Sequence, residues 1–208
     1  KVLKGSYMEE QAGNYDLIYQ ERPPFEVLST RWLSYGEMIR LKGIEEMVEV
    51  YYNSGQFVHT MALLEQTFPD AFTMYETLSA YYEMHHLYET SHSRLERYEI
   101  LSAFAGEYDG GRKEEYREML TYDLYLRENV KNRPAFAGSP SVTKQEEAKI
   151  YEQEAKEYRY LKGYEKYDKR QIRKMTHLER IKGSLLLFDY RNRDLLTNQA
   201  LVYEVSPV

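Results

Sequence analysis

Apolar residues recur along most of this chain at spacings of three and four, the period of a helix with one face turned inward. The clearest run covers residues 34–52. There Met38, Leu41, Ile44, Val48, Tyr51 and Tyr52 share a face, with Glu and Lys opposite. Ser34 and Glu37 begin it as an S-x-x-E capping box, each able to satisfy an amide that the other leaves open. Asn53-Ser54-Gly55 ends it, because glycine accepts the left-handed conformation that follows a helix. Phe57, Met61, Leu64 and Phe68 predict a short second helix stopping at Pro69. Phe72, Tyr75, Leu78 and Tyr82 predict a third, capped by Asp70. Ser93 and Glu96 box a fourth, with Leu95, Tyr98, Leu101 and Phe104 inward and Gly110-Gly111 closing it. Tyr116, Met119, Leu120, Leu124 and Leu126 mark a fifth, ended before Arg133-Pro134. Thr143 and Glu146 box a sixth, carrying Ala148, Tyr151, Ala155, Tyr158 and Leu161. The stretch from Ala135 to Ser141, small and containing Pro and Gly, is the expected internal hinge.

Both ends depart from this period. Tyr7 to Ala12 has room for one helical turn or two before Gly13 and Asn14. Leu17-Ile18-Tyr19 and Phe25-Glu26-Val27-Leu28 read as short strands, and Arg22-Pro23-Pro24 between them forbids a continuous ladder. From His177 the pattern becomes extended and predicts either a hairpin of Leu185 to Tyr190 with Ala200 to Val205, or a three-stranded sheet that adds Leu178 to Ile181. Strands so close in sequence pair antiparallel. The expected fold is therefore mainly α. Residues 1–33 form an extended N-terminal strap, and residues 34–208 a multi-helix domain with a small antiparallel sheet at about 177–205.

Composition then narrows the chemistry. Tyrosines number 22, against seven phenylalanines and one tryptophan, an excess that suits half-buried helix faces. The absence of cysteine excludes disulfides, thiolate zinc sites and Cys-ligated iron–sulfur clusters within the chain. It also fits a cytoplasmic location. No apolar run approaches the roughly 18 residues that span a bilayer, and no signal sequence opens the chain, so no membrane partner is expected. Lys1-Val2-Leu3-Lys4 opens without methionine, as a fragment or processed product would. A net charge of −6 argues against bulk attraction to nucleic acid. Phosphate-binding loops and the G-x-S-x-G nucleophile elbow are absent.

Three polar groups remain. Asp123, Arg127, Asn129 and Arg133 are the densest polar cluster around an otherwise apolar helix. They read either as an Asp123–Arg127 i,i+4 ion pair, worth a few tenths of a kcal/mol, or as a docking surface. Glu83 with His86 and Glu89 with His92 make two E-x-x-H spacings, which di-iron bundles use on facing helices. Here both copies crowd one helix end, so surface histidines are expected instead of a metal site. Between Lys156 and Lys182, cations interleave with Tyr158, Tyr160, Tyr164 and Tyr167, as in single-stranded RNA grooves. Glu157, Glu165, Asp168 and Glu179 dilute the run, which favours a solvated face.

Leu3-Lys4-Gly5-Ser6, followed by Glu21-Arg22-Pro23-Pro24-Phe25-Glu26-Val27-Leu28-Ser29-Thr30-Arg31-Trp32-Leu33-Ser34, resembles the exit from a radical S-adenosylmethionine barrel. The resemblance continues through Arg40-Leu41-Lys42, Tyr51 to Gln56, Leu120 to Asn129, Arg133-Pro134, Met175 to Glu179 and Leu187 to Tyr190. It is to proteins that place a cobalamin-binding domain first, the radical barrel second and an uncharacterised helical domain last. Ser6-Tyr7 departs from the Thr-Pro common there, and the three-cysteine cluster motif has no counterpart. The resemblance therefore assigns this chain no catalytic, cofactor-binding or metal residue. It implies a parent resembling an iron–sulfur oxidoreductase, whose upstream domains carry a 4Fe-4S cluster, S-adenosylmethionine and cobalamin. This chain would be the parent's non-catalytic C-terminal accessory domain, packing on the barrel and shaping substrate access. The alternative is an independent helical module that binds protein or RNA.

Overall fold

The computed structural model describes residues 1–206. In chain order the elements are α1 (Tyr7–Glu10), β1 (Ile18–Tyr19), β2 (Val27–Ser29), α2 (Tyr35–Val48), α3 (Val58–Leu64) and α4 (Ala71–Met84). There follow α5 (Arg94–Tyr108), α6 (Lys113–Arg127), α7 (Lys144–Glu157), α8 (Lys169–Met175), β3 (Thr176–Ile181), β4 (Ser184–Arg193) and β5 (Ala200–Glu204). The fold is mainly α with a small C-terminal antiparallel sheet, as the periodicity predicts. No helix among the described residues is long and apolar enough to cross a membrane. Contacts divide the chain into two compact units, one of residues 1–53 and 70–89, the other of 54–69 and 90 onward. The expected division between residues 33 and 34 falls inside the first of these.

In the first unit, α2 begins at the Ser34–Glu37 capping box and continues past Val48 as a π turn over Glu49–Asn53. Its buried positions are Ile44, Met47 and Tyr51; Leu41 and Tyr52 of the expected stripe are exposed. The π turn re-aims the last residues of the stripe, burying Tyr51 and leaving Tyr52 outside. The Tyr51 hydroxyl meets that of Tyr82 on α4 at 2.6 Å, and their rings pack edge to face. Gly43 marks the close approach of α2 to α4, since a Cβ there would lie 2.3 Å from Ser79 Oγ. The two strand-like runs near the N-terminus do pair, antiparallel, as β1 and β2. Val2 is buried beside them, its amide donating to the Phe25 carbonyl, and Lys42 on α2 is ion-paired with Glu26.

In the second unit the sheet order is β3-β4-β5, all antiparallel, with Leu178 opposite Leu187 and Leu187 opposite Tyr203. Its inner face joins α7 and α8 in a core of Ile150, Tyr151, Leu161, Tyr164, Ile172, Leu178, Leu187 and Val205. A smaller cluster of Tyr125, Leu126, Phe188 and Ala200 seats α6 on the same sheet. The helix α8 was not expected; Asp168 and Gln171 box its start as Thr143 and Glu146 box α7. Asp189, fully buried, accepts from the amides of Arg191 and Asn192 and from the Tyr164 hydroxyl, which satisfies the backbone where β4 loses register. No boundary between the two compact units falls at the stretch 135–141, which hydrogen bonds tie to its surroundings. Arg133 donates to the carbonyls of Gly138 and Ala137 at 2.9 Å each, and Ser141 bonds Glu179 on β3.

Candidate functional site

The four residues singled out in and after α6 separate in the structure. Asp123 is buried and caps α3 from across the unit. Its Oδ1 accepts from the His59 amide at 3.1 Å and lies 2.7 Å from His59 Nδ1. Its Oδ2 accepts from the Thr60 amide and hydroxyl at 2.9 and 2.7 Å. A side chain so committed is structural, satisfying amides that a helix start leaves open. The i,i+4 pair with Arg127 is not formed; the Arg127 Nε is buried without a hydrogen-bond partner among the described residues. Asn129 and Arg133, by contrast, both line a cleft of about 770 Å³.

That cleft is built from the segment 129–142, β3 and the facing sides of α7 and α8. Its floor holds a pair the sequence did not disclose. Glu179, on β3 and 1% exposed, is ion-paired with Arg133 and accepts from Ser141, with His177 Nε2 at 3.3 Å. The His177 ring stacks on Tyr125, centroids 3.6 Å apart. Burial by itself would raise the Glu179 carboxyl. The bonds from His177, Arg133 and Ser141, with the Arg133 charge, outweigh it and hold the group at about 2. Burial pushes the Tyr151 phenol up to about 12 and moves Tyr125 in the same direction, so both stay protonated donors at neutral pH.

Around this floor stand Lys131, Arg173 and Lys174, with Glu147 3.4 Å from Arg173. Asn129 Nδ2 donates to the Lys174 carbonyl at 2.8 Å and ties the start of the loop to the end of α8. A carboxyl held near 2 is too weak a base to take a proton at neutral pH.

The other sequence candidates are placed apart from it. Glu83 lies on the last turn of α4, while His86 is beyond its end at positive φ and pairs with Glu89 at 2.9 Å. His92 sits in the loop before α5. Among the described residues no group of three or more His, Asp or Glu could hold a metal ion. In the basic stretch, Tyr164 is buried and Tyr158, Tyr160 and Tyr167, partly buried, pack against the α7–α8–sheet core.

Helices backing a three-stranded antiparallel sheet, with an arginine-clamped glutamate in a polar cleft, define this as a mainly α domain with a small C-terminal sheet. The chain belongs to the DUF4080 family of proteins of unknown function, whose model matches residues 13–202. No curated protein and no solved structure matches it.

Proposed function

We propose that this chain is the non-catalytic C-terminal accessory domain of a cytoplasmic, cobalamin-binding radical S-adenosylmethionine enzyme. In this reading it packs on the barrel through its N-terminal segment and shapes substrate access. The supporting observation is that the segment whose residues resemble a barrel exit leaves large apolar side chains uncovered. Trp32 is 67% exposed and Ile18 61%, with Leu3, Tyr7 and Met8 exposed beside them in sequence. In this reading those side chains are the ones the barrel would cover. The parent's cluster, S-adenosylmethionine and cobalamin belong to the upstream domains in this reading, since the chain has no thiolate to offer a cluster.

Trp32 is the sole tryptophan and so reports on this surface alone. The chain is labelled with 5-fluorotryptophan and titrated with the separately produced cobalamin-binding and barrel domains. A saturable shift of the Trp32 fluorine resonance is expected. A resonance that does not move while the barrel domains are folded and cofactor-loaded overturns the reading.

A further inference from the structure

The cleft of the second unit has a composition at odds with the chain around it. The protein as a whole carries −6, yet the cleft is lined by Lys131, Arg133, Arg173 and Lys174 against only Glu147 and Glu179. Both carboxylates are already committed, Glu179 to Arg133 and Glu147 to Arg173. Lys131 and Lys174 have no carboxylate partner among the described residues. Both lysines line this one cleft, and the bond from Asn129 to the Lys174 carbonyl ties the backbone near Lys131 to that of Lys174. The lining also includes the apolar side chains of Val130, Pro140, Val142 and Leu178, with the buried ring of Tyr151 beneath the Arg173 guanidinium. A volume of about 770 Å³ lies within the range that encloses small organic molecules.

We infer that this cleft binds a small organic anion, a phosphate monoester or carboxylate carrying an apolar body. The charged end meets Lys131 and Lys174, where charge-assisted bonds form without displacing an existing ion pair. The body lies against Val142, Leu178 and Tyr151. Arg133 does not contact the ligand's charge directly. It holds Glu179 neutralised, so that no free carboxylate at the floor repels an anion, and it fixes the 133–141 loop that makes one wall. This inference is independent of whether the chain docks on a barrel.

The test uses phenyl phosphate as probe, with inorganic phosphate and a single-stranded oligouridylate as controls, in calorimetric titrations of the whole chain at low salt. Phenyl phosphate is expected to bind with one-to-one saturation, about tenfold or more tighter than inorganic phosphate. The double variant Lys131→Ala/Lys174→Ala should bind it about tenfold or more weakly. Both lysines are exposed, so the variant keeps its fold, and an unchanged circular dichroism spectrum verifies this. Absence of saturable binding overturns the inference, as does equal affinity in wild type and variant. Equal binding of inorganic phosphate refutes the apolar half of the site. Tighter binding of the oligouridylate would assign the cations to a nucleic-acid strand instead.

Discussion

Replacing Glu179 with glutamine tests the central ion pair of the second unit. In the native chain this carboxyl is 1% exposed and held at about 2, against an ordinary value of 4.5. By linkage, a fall from 4.5 to about 2 corresponds to ~3 kcal/mol of folding stability. The sign follows from the direction. A carboxyl lowered by folding stabilises the native state fully above its unfolded value, and that contribution disappears as pH falls through the folded one. The window is therefore about pH 4.5 down to 2. Glu179→Gln also leaves the Arg133 guanidinium, itself largely buried, without its counter-charge, a change of the kind that costs about 3–5 kcal/mol in buried pairs. Urea unfolding of both proteins is the assay. At pH 7 the variant is expected to be less stable by about 3 kcal/mol. That gap should close to well under 1 kcal/mol by pH 2, as the wild type loses what the variant never had. Parallel decline of both proteins from pH 6 to pH 2 would show that the pair contributes nothing specific.

Further substitutions probe the packing of each unit. Tyr51→Ala removes a fully buried ring and is expected to cost about 3–5 kcal/mol, whereas His86→Ala, on an exposed turn, costs under about 0.5; equal denaturation midpoints for the two variants would refute the helix-face assignment. Asp123→Ala strips the cap from α3 and is expected to cost about 2 kcal/mol, with Asp123→Asn losing less; a neutral alanine variant in the same urea assay would contradict the capping role. Gly43→Val should destabilise by about 1–3 kcal/mol, because its Cβ meets the Ser79 hydroxyl; a melting temperature equal to wild type would show that the close approach of α2 to α4 does not require glycine.

The parts of this fold that sequence made legible are those governed by near neighbours. Ser34–Glu37, Ser93–Glu96 and Thr143–Glu146 all form the capping boxes their spacing announces, because both partners lie within one turn. Asp168–Gln171 uses the same spacing with other residue types, and the seven-residue helix it starts lies in a basic run too short to show an apolar stripe. The polar cleft was legible only in part. Arg133 and Asn129 stood out as polar residues after an apolar helix, but Glu179 reads as one charge in a strand. Its partners Arg133 and Ser141 lie 46 and 38 residues earlier, a separation that no local pattern encodes. Asp123 was noticed for the wrong reason. An ion pair four residues away was the nearest candidate, while the structure sends the carboxylate 63 residues back along the chain.

That reach has a consequence during synthesis. The segment 54–69 belongs with residues 90 onward, although residues 70–89 intervene in the chain. At roughly 5–20 residues per second, the ribosome takes about 3–13 s after Thr60 to produce Asp123. For that interval the nascent α3 has neither its cap nor the helix it packs on, and Met61, Leu63 and Leu64, buried in the finished protein, are exposed to whatever binds unfolded chains. A translational pause that holds α6 inside the ribosome would lengthen the vulnerable period, and one placed after α6 has emerged would not.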